Sequence, residues 1–362
     1  MIRSAFGKVS LALAATALIA GPVLAQSTNT LQTPPIKMGT SGGSANDSSR
    51  SFCCAGTLGA LILYNGVPHI LSNNHVLARS GSAAVGEDIV QPGLIDSACR
   101  TTGSNVVADF AGDKTPLGTN VDVGIAAVRT GMVDPTGAIL NVGVPCSSTQ
   151  TPTVGLSVRK SGRTTGHTTG TIQAVNVSTS IQYQSGCNSG KKFTASYTNQ
   201  ISITPGTFSA GGDSGSLILS NDGTPNPVGL LFAGSSAVTI ANPIQSVVSA
   251  LQAGGNTVSF VGTACSGTGA STADSIIAGI SESEVQYVKG IKERHEASLF
   301  ARPGVVGVGV GKVNDNSDTN EAAIIVYVES NKSALPKGFP KQLDGIKVRL
   351  IPTDPIVARC GA

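Results

Sequence analysis

The stretch Gly211-Gly212-Asp213-Ser214-Gly215-Ser216-Leu217, continued by Ile218-Leu219, joins a glycine-rich turn to a short apolar run. A serine hydroxyl is a poor nucleophile near neutral pH. It needs a base beside it and a backbone free to aim amide hydrogens at a developing oxyanion. Gly211, Gly212 and Gly215 supply that freedom, since without a Cβ they reach positive φ and leave room for a carbonyl to approach Ser214. Leu217-Ile218-Leu219 reads as a buried strand. A plain turn has the same Gly, Asp and Ser composition, so the weight falls on what lies upstream.

A base for Ser214 must take up a proton near neutral pH, which points to histidine. The chain has four. His69 lies in a turn after Pro68, His167 in a Thr/Gly loop, and His295 far downstream. His75, in Leu71-Ser72-Asn73-Asn74-His75-Val76, follows an apolar pair at the mouth of a strand, where an imidazole can face a cleft. Its other ring nitrogen needs an acceptor. Asp122, in Asn120-Val121-Asp122-Val123-Gly124-Ile125-Ala126, is embedded in an apolar strand, where a carboxylate is costly unless paired. Asp109 and Asp113 sit in more polar surroundings and rank below it.

A chain of 362 residues favours two domains. Charged residues are 12% and Gly numbers 45, the composition of a turn-rich exported β protein. A net charge of +3, without any useful Lys/Arg run, speaks against nucleic acid. Residues 1–25 have the parts of a signal peptide: Arg3 and Lys8, the apolar run Val9 to Ala20, then Val23-Leu24-Ala25. That run is too short for a membrane anchor, so a secreted protein, extracellular or periplasmic, is expected. Of seven cysteines at least one is left unpaired within the chain, and the spacing does not give the connectivity. No Cys/His cluster supports a metal site, and the chemistry at Ser214 requires no cofactor.

Residues 26–51, rich in Ser, Thr, Gly, Asn and Pro, read as an exposed, disordered leader. From Phe52 to Gly262 short apolar runs alternate with turns such as Asn65-Gly66, a pattern of an all-β sandwich or barrel pair. Pro243 to Leu251 suits a closing helix. The small residues 263–275 read as a linker. Charge density then rises, and 276–362 reads as a separate small α+β domain. It opens with the capping-box pattern Ser281-Glu282-Ser283-Glu284 and a helix with Val285, Val288, Ile291 and Leu299 on one face. Gly307 to Lys312 lacks the spacing of a phosphate loop, and Asn314 to Asp318 reads as a polar turn.

Together, Leu71 to Val76, Val121 to Ala126, Lys160-Ser161-Gly162-Arg163-Thr164-Thr165-Gly166 and Gly212 to Ser216 resemble the motifs of chymotrypsin-like serine peptidases. The likeness is to the bacterial secreted type that includes alpha-lytic protease, and it spans 52–262. The order His75, Asp122, Ser214 matches that family. The resemblance implies two antiparallel β-barrels with a triad between them, His75 as base, Asp122 as orienting carboxylate and Ser214 as nucleophile. The amides of Gly212 and Ser214 would form the oxyanion hole. It also implies a buried Arg163–Asp213 pair and a specificity pocket near Phe208, Phe232, Ala233 and Gly234, suited to small or apolar side chains. The substrate would be a protein or peptide. Three departures stand out: no cysteine follows His75, Ser216 replaces a usual glycine, and Phe232 replaces a serine that supports the triad carboxylate. A catalytically silent binding protein and a serine esterase are the other readings of the same site. The second domain is expected either to bind a partner or to occupy the cleft.

Overall fold

Most β-branched and aliphatic runs fold here as antiparallel strands joined by turns of Gly, Asn or Asp. The computed structural model describes residues 25–265, 280–315, 320–329, 338–358 and 361. The chain begins with β1 (Thr40–Ser44), β2 (Gly56–Leu58), β3 (Ala60–Tyr64) and β4 (Val67–Ser72), then the single turn α1 (Asn74–Leu77). β5 (Asp88–Gln91), β6 (Asn105–Lys114) and β7 (Gly124–Val128) follow. Neighbours run β3-β4-β7-β6-β5-β1-β2, all antiparallel. Since β2 continues through Gly59 into β3, this sheet closes on itself. The Asn65-Gly66 turn has positive φ at both positions, as the tight hairpin between β3 and β4 demands.

A second barrel uses β8 (Ser157–Gly162), β9 (Gly166–Gln184), β10 (Lys192–Thr204), β11 (Leu217–Ser220), β12 (Pro227–Gly234) and β13 (Thr239–Pro243). Their order is β9-β8-β11-β12-β13-β10, and β10 pairs back onto β9. The expected pair of antiparallel barrels is therefore the architecture of the molecule. α2 (Ile244–Leu251) then leads to β14 (Val258–Phe260), which returns to β3.

Residues 26–51 are not an exposed leader. Ile36 and Met38 are fully buried, and β1 is buried along its whole length between β2 and β5. Its sequence, Thr-Ser-Gly-Gly-Ser, carries no apolar pattern because the space is filled from the other side. A Cβ on Gly42 would sit 2.5 Å from the Leu58 side chain. Bareness, not apolarity, qualifies this strand for the barrel.

The region after residue 276 is not set apart either. α3 (Glu282–Phe300) is followed by β15 (Val305–Lys312), β16 (Ala322–Glu329), β17 (Gln342–Leu343) and β18 (Ile346–Thr353). β15 pairs antiparallel with β9, so these strands extend the second sheet. The glycines of the Val/Gly run make this possible, since a Cβ on Gly311 would meet the Gln173 carbonyl at 2.5 Å. α3 buries Val285, Val288, Ile291 and Leu299, as its periodicity predicts. Ser281 caps the Glu284 amide, while the Glu284 carboxylate accepts from Ala322 N–H at 3.0 Å instead of closing the capping box.

Disulfides join Cys53 to Cys99, Cys54 to Cys187 and Cys146 to Cys265. The second ties the first barrel to the turn between β9 and β10, and each such link contributes about 2–4 kcal/mol. Residues 1–24 of the expected signal peptide, 266–275 of the expected linker and Cys360 lie outside the described residues. Among the described residues, no helix is long and apolar enough to cross a membrane.

Candidate active site

β4 delivers the chain to α1, and there His75 turns its ring inward. Its Nδ1 lies 2.6 Å from Oδ2 of Asp122, with the two side chains 3% and 0% exposed. The other carboxylate oxygen accepts from the His75 backbone N–H at 3.2 Å. Asn73 Nδ2 donates to the Asp122 carbonyl at 2.7 Å, and the Asp122 N–H donates to Asn242 Oδ1 at 3.0 Å. The two bonds from His75 answer the cost of placing a carboxylate at the root of an apolar strand, and those to Asn73 and Asn242 satisfy the Asp122 main chain.

Tyr183, on β9, completes this cage. Its hydroxyl donates to Asp122 Oδ2 at 3.0 Å and meets the Tyr197 hydroxyl at 2.7 Å. Burial, and then the charge of Asp122, push the Tyr183 pKa well above its usual value, so it remains a donor. Phe232 cannot support Asp122 as a serine would. It packs instead on Tyr197, ring centroids 4.9 Å apart. The hydroxyl on Asp122 comes from β9. Nothing in Ser180 to Gln184 beyond a strand pattern signals this role, because the contact spans 61 residues.

The other histidines are elsewhere. His69 Nδ1 faces the Val67 carbonyl at 2.9 Å, and His295 lies 3.1 Å from Asp344. His167 is on β9, where burial and the charges of Arg159 and Lys160 lower its pKa.

Ser214 comes from the second barrel, in the loop before β11. Thr57, in β2, locks that loop to the first barrel: its N–H donates to the Ser214 carbonyl at 2.8 Å and its hydroxyl to the Gly212 carbonyl at 3.0 Å. Ser72, just ahead of α1, donates to the Thr57 carbonyl at 2.7 Å. One threonine thus couples the strand leading to His75 with the loop carrying Ser214. Gly212 and Gly215 have φ of +98° and +95°, the conformation their glycine identity anticipated.

Asp213 does not pair with Arg163. Its carboxylate accepts from the Thr164 and Thr165 N–H groups at 2.8 and 3.2 Å, the Thr165 hydroxyl at 2.7 Å and the Ala210 N–H at 2.9 Å. The nearby cation is Lys160, with Nζ at 3.7 Å and both side chains fully buried. Alternation along β8 explains the exchange. Lys160 and Gly162 share its inner face, and a Cβ on Gly162 would come 2.6 Å from Asp213 Oδ1. Arg163, beyond the strand end, turns away and pairs with Asp96 through Nε at 2.6 Å and Nη2 at 2.8 Å. Burial lowers the Lys160 pKa, with Asp213 opposing that shift. Ser216 is also accommodated, its hydroxyl donating to the Asp213 carbonyl at 2.6 Å.

Beside Ser214 lies a cavity of about 180 Å³, walled by Ser209, Ala233 and Gly234 and, from the C-terminal region, by Asp354, Pro355 and Val357. Ala233 and Gly234 line this cavity. Phe208 and Phe232 do not; both are core residues with 1% and 0% exposure. Val357 and Gly234 exchange two backbone hydrogen bonds of 3.0 Å. Gly361 and Ala55 exchange another pair, 2.9 and 3.2 Å.

No protein-family model matches the chain, and neither does any curated protein. Among solved structures, the chain is similar to a glutamic-acid-specific serine protease: 22% identity, 62% of this chain and 100% of that one covered, TM-score 0.43. It is also similar to Thermobifida fusca Protease A, with 20% identity, 63% and 99% coverage and a TM-score of 0.42. For Cellulomonas bogoriensis chymotrypsin the figures are 18%, 63%, 99% and 0.40.

Proposed function

We propose that this protein is a secreted serine endopeptidase of the chymotrypsin-like kind, cleaving peptide bonds through an acyl-enzyme. The observation that carries the reading is the buried His75–Asp122 contact of 2.6 Å, supplied by one barrel and coupled through Thr57 to the Ser214 loop of the other. Asp122 holds the imidazole by Nδ1, leaving Nε2 to take the Ser214 proton as Oγ attacks the carbonyl carbon. The amides of Gly212 and Ser214 stabilise the tetrahedral oxyanion. His75 returns the proton to the departing amine, and water then hydrolyses the ester by the same route. In this reading the cleft runs past Gly234 and Ala55, and the region after residue 276 contacts it.

Treating the purified protein with a fluorophosphonate probe and mapping the adduct by mass spectrometry tests this. Labelling confined to Ser214, and absent in Ser214→Ala, is expected. A folded protein that never labels would instead be a peptidase-like binding protein. Turnover of simple esters without cleavage of any protein would make it an esterase.

A further inference from the structure

Ile356–Ala358 is bound on both edges. On one side Val357 runs antiparallel to β12, its N–H and C=O both exchanged with Gly234 at 3.0 Å. On the other it runs parallel to β9, where Gln182 N–H donates to the Ile356 carbonyl and Ala358 N–H donates to the Gln182 carbonyl, each at 3.0 Å. Four main-chain groups of this stretch, the Ile356 C=O, the Val357 N–H and C=O and the Ala358 N–H, are therefore taken up by β9 and β12. Gly361 makes its own pair of backbone bonds with Ala55, and a Cβ on Gly361 would lie 3.4 Å from Gly212 Cα, two residues before Ser214.

A peptide recognised in this way gains affinity from sequence-independent main-chain bonds and specificity from alternate side chains in pockets. The alternation is present. Ile356 is 1% exposed and belongs to the buried cluster of Tyr183, Tyr197 and Phe232, whereas Val357 is only partly covered. Ala358 is buried and, with His75 and Tyr183, lines the cavity beside the imidazole.

We propose that Ile356–Ala358 is a substrate look-alike held in cis: it fills the site where an extended peptide binds beside Ser214, and marks that site as selective for an aliphatic residue at the Ile356 position. The proposal rests on the peptidase reading and adds to it a substrate class and a built-in competitor. Because the segment is tethered, its effective concentration is on the order of millimolar, so an external peptide must displace it.

The rate of fluorophosphonate labelling at Ser214 in the full chain tests this. Val357→Pro removes the N–H given to Gly234, and Ile356→Ala keeps every backbone bond. Val357→Pro and Ile356→Ala are each expected to label roughly tenfold or more faster than wild type, from the loss of one paired backbone bond or of a buried side chain. Adding the peptide Asp-Pro-Ile-Val-Ala should slow Val357→Pro again, and the same peptide with Asp in place of Ile should not. Equal labelling rates in wild type and both folded variants overturn the proposal while leaving the peptidase reading intact. Labelling in none of the three proteins removes the peptidase reading, and this proposal with it.

Discussion

Asp122 and Asp213 are both fully buried carboxylates beside the same cleft, and they are held by different kinds of partner. Asp122 faces an imidazole from α1 and a phenol from β9, side chains whose positions depend on the tertiary fold. Asp213 is ringed by backbone amides and a hydroxyl from two adjoining loops, with Lys160 behind it. The first arrangement can respond when a proton moves onto the ring. The second, built mostly from main-chain donors, serves to hold the Ser214 loop in shape. Burial of a charge near a nucleophile therefore does not identify its role; the kind of group that faces it does.

The largest expected effect follows from that distinction. Asp122→Asn keeps size and burial but presents the wrong group to Nδ1, so kcat should fall about 10⁴-fold with little change in melting temperature. Steady-state kinetics beside calorimetry measures both, and a fall below tenfold would place the orienting group elsewhere. Lys160→Ala should do the reverse. It leaves Asp213 as a buried charge without its cation, at a cost of about 3–5 kcal/mol in urea unfolding. Arg163→Ala, which frees only the less deeply placed Asp96, should cost about 1–3 kcal/mol. If the two costs come out in the opposite order, Arg163 is the structural cation after all.

Tyr183→Phe sharpens the comparison from the Asp122 side. The ring remains and one hydrogen bond to a charged group is lost, about 1.5–3 kcal/mol. If that bond positions Asp122 for catalysis, kcat/KM drops roughly ten- to a hundredfold, with an altered pH profile. A stability loss of the same size with unchanged kcat/KM would make Tyr183 a packing residue.

The smallest effect concerns a carboxylate of neither kind. Glu87 is opposed by burial, but hydrogen bonds from Arg79, the Ala84 amide and Ser44 overcome this and hold its pKa at about 2. A carboxylate lowered on folding stabilises the native state above its unfolded pKa. That contribution is lost as pH falls from about 4.5 towards about 2. Acid unfolding of Glu87→Gln should therefore be shallower than wild type across that window, and the two should converge below it.

Much of this was legible beforehand. His75, Asp122 and Ser214 each sit in a local pattern whose chemistry speaks for itself: an imidazole after a strand, a carboxylate among aliphatics, a serine between glycines. Short apolar runs and Asn65-Gly66 marked an all-β chain, and the resemblance of its motifs implied the two barrels. Legibility failed where a residue's value lay in what it lacks or in what it meets far away. β1 was unreadable because Gly42 contributes space for Leu58. The cation beside Asp213 was misread because Lys160, on the inner face of β8, and Arg163, just past its end, lie only three residues apart in sequence. Tyr183 carries no local mark of its bond to Asp122.

The amino-acid sequence alone determined most of the strands, the all-β class and the residues of the candidate triad, because periodicity and local chemistry are written within a few residues; the two-barrel form came from the resemblance of four motifs to a known family. The tertiary structure alone decided that β15 would extend β9, that Tyr183 would support Asp122, that Lys160 would stand behind Asp213, and that Val357 would lie against Gly234. Those outcomes depend on which sheet edges are left open and which side chains can fill them, and such vacancies exist only once the barrels have closed.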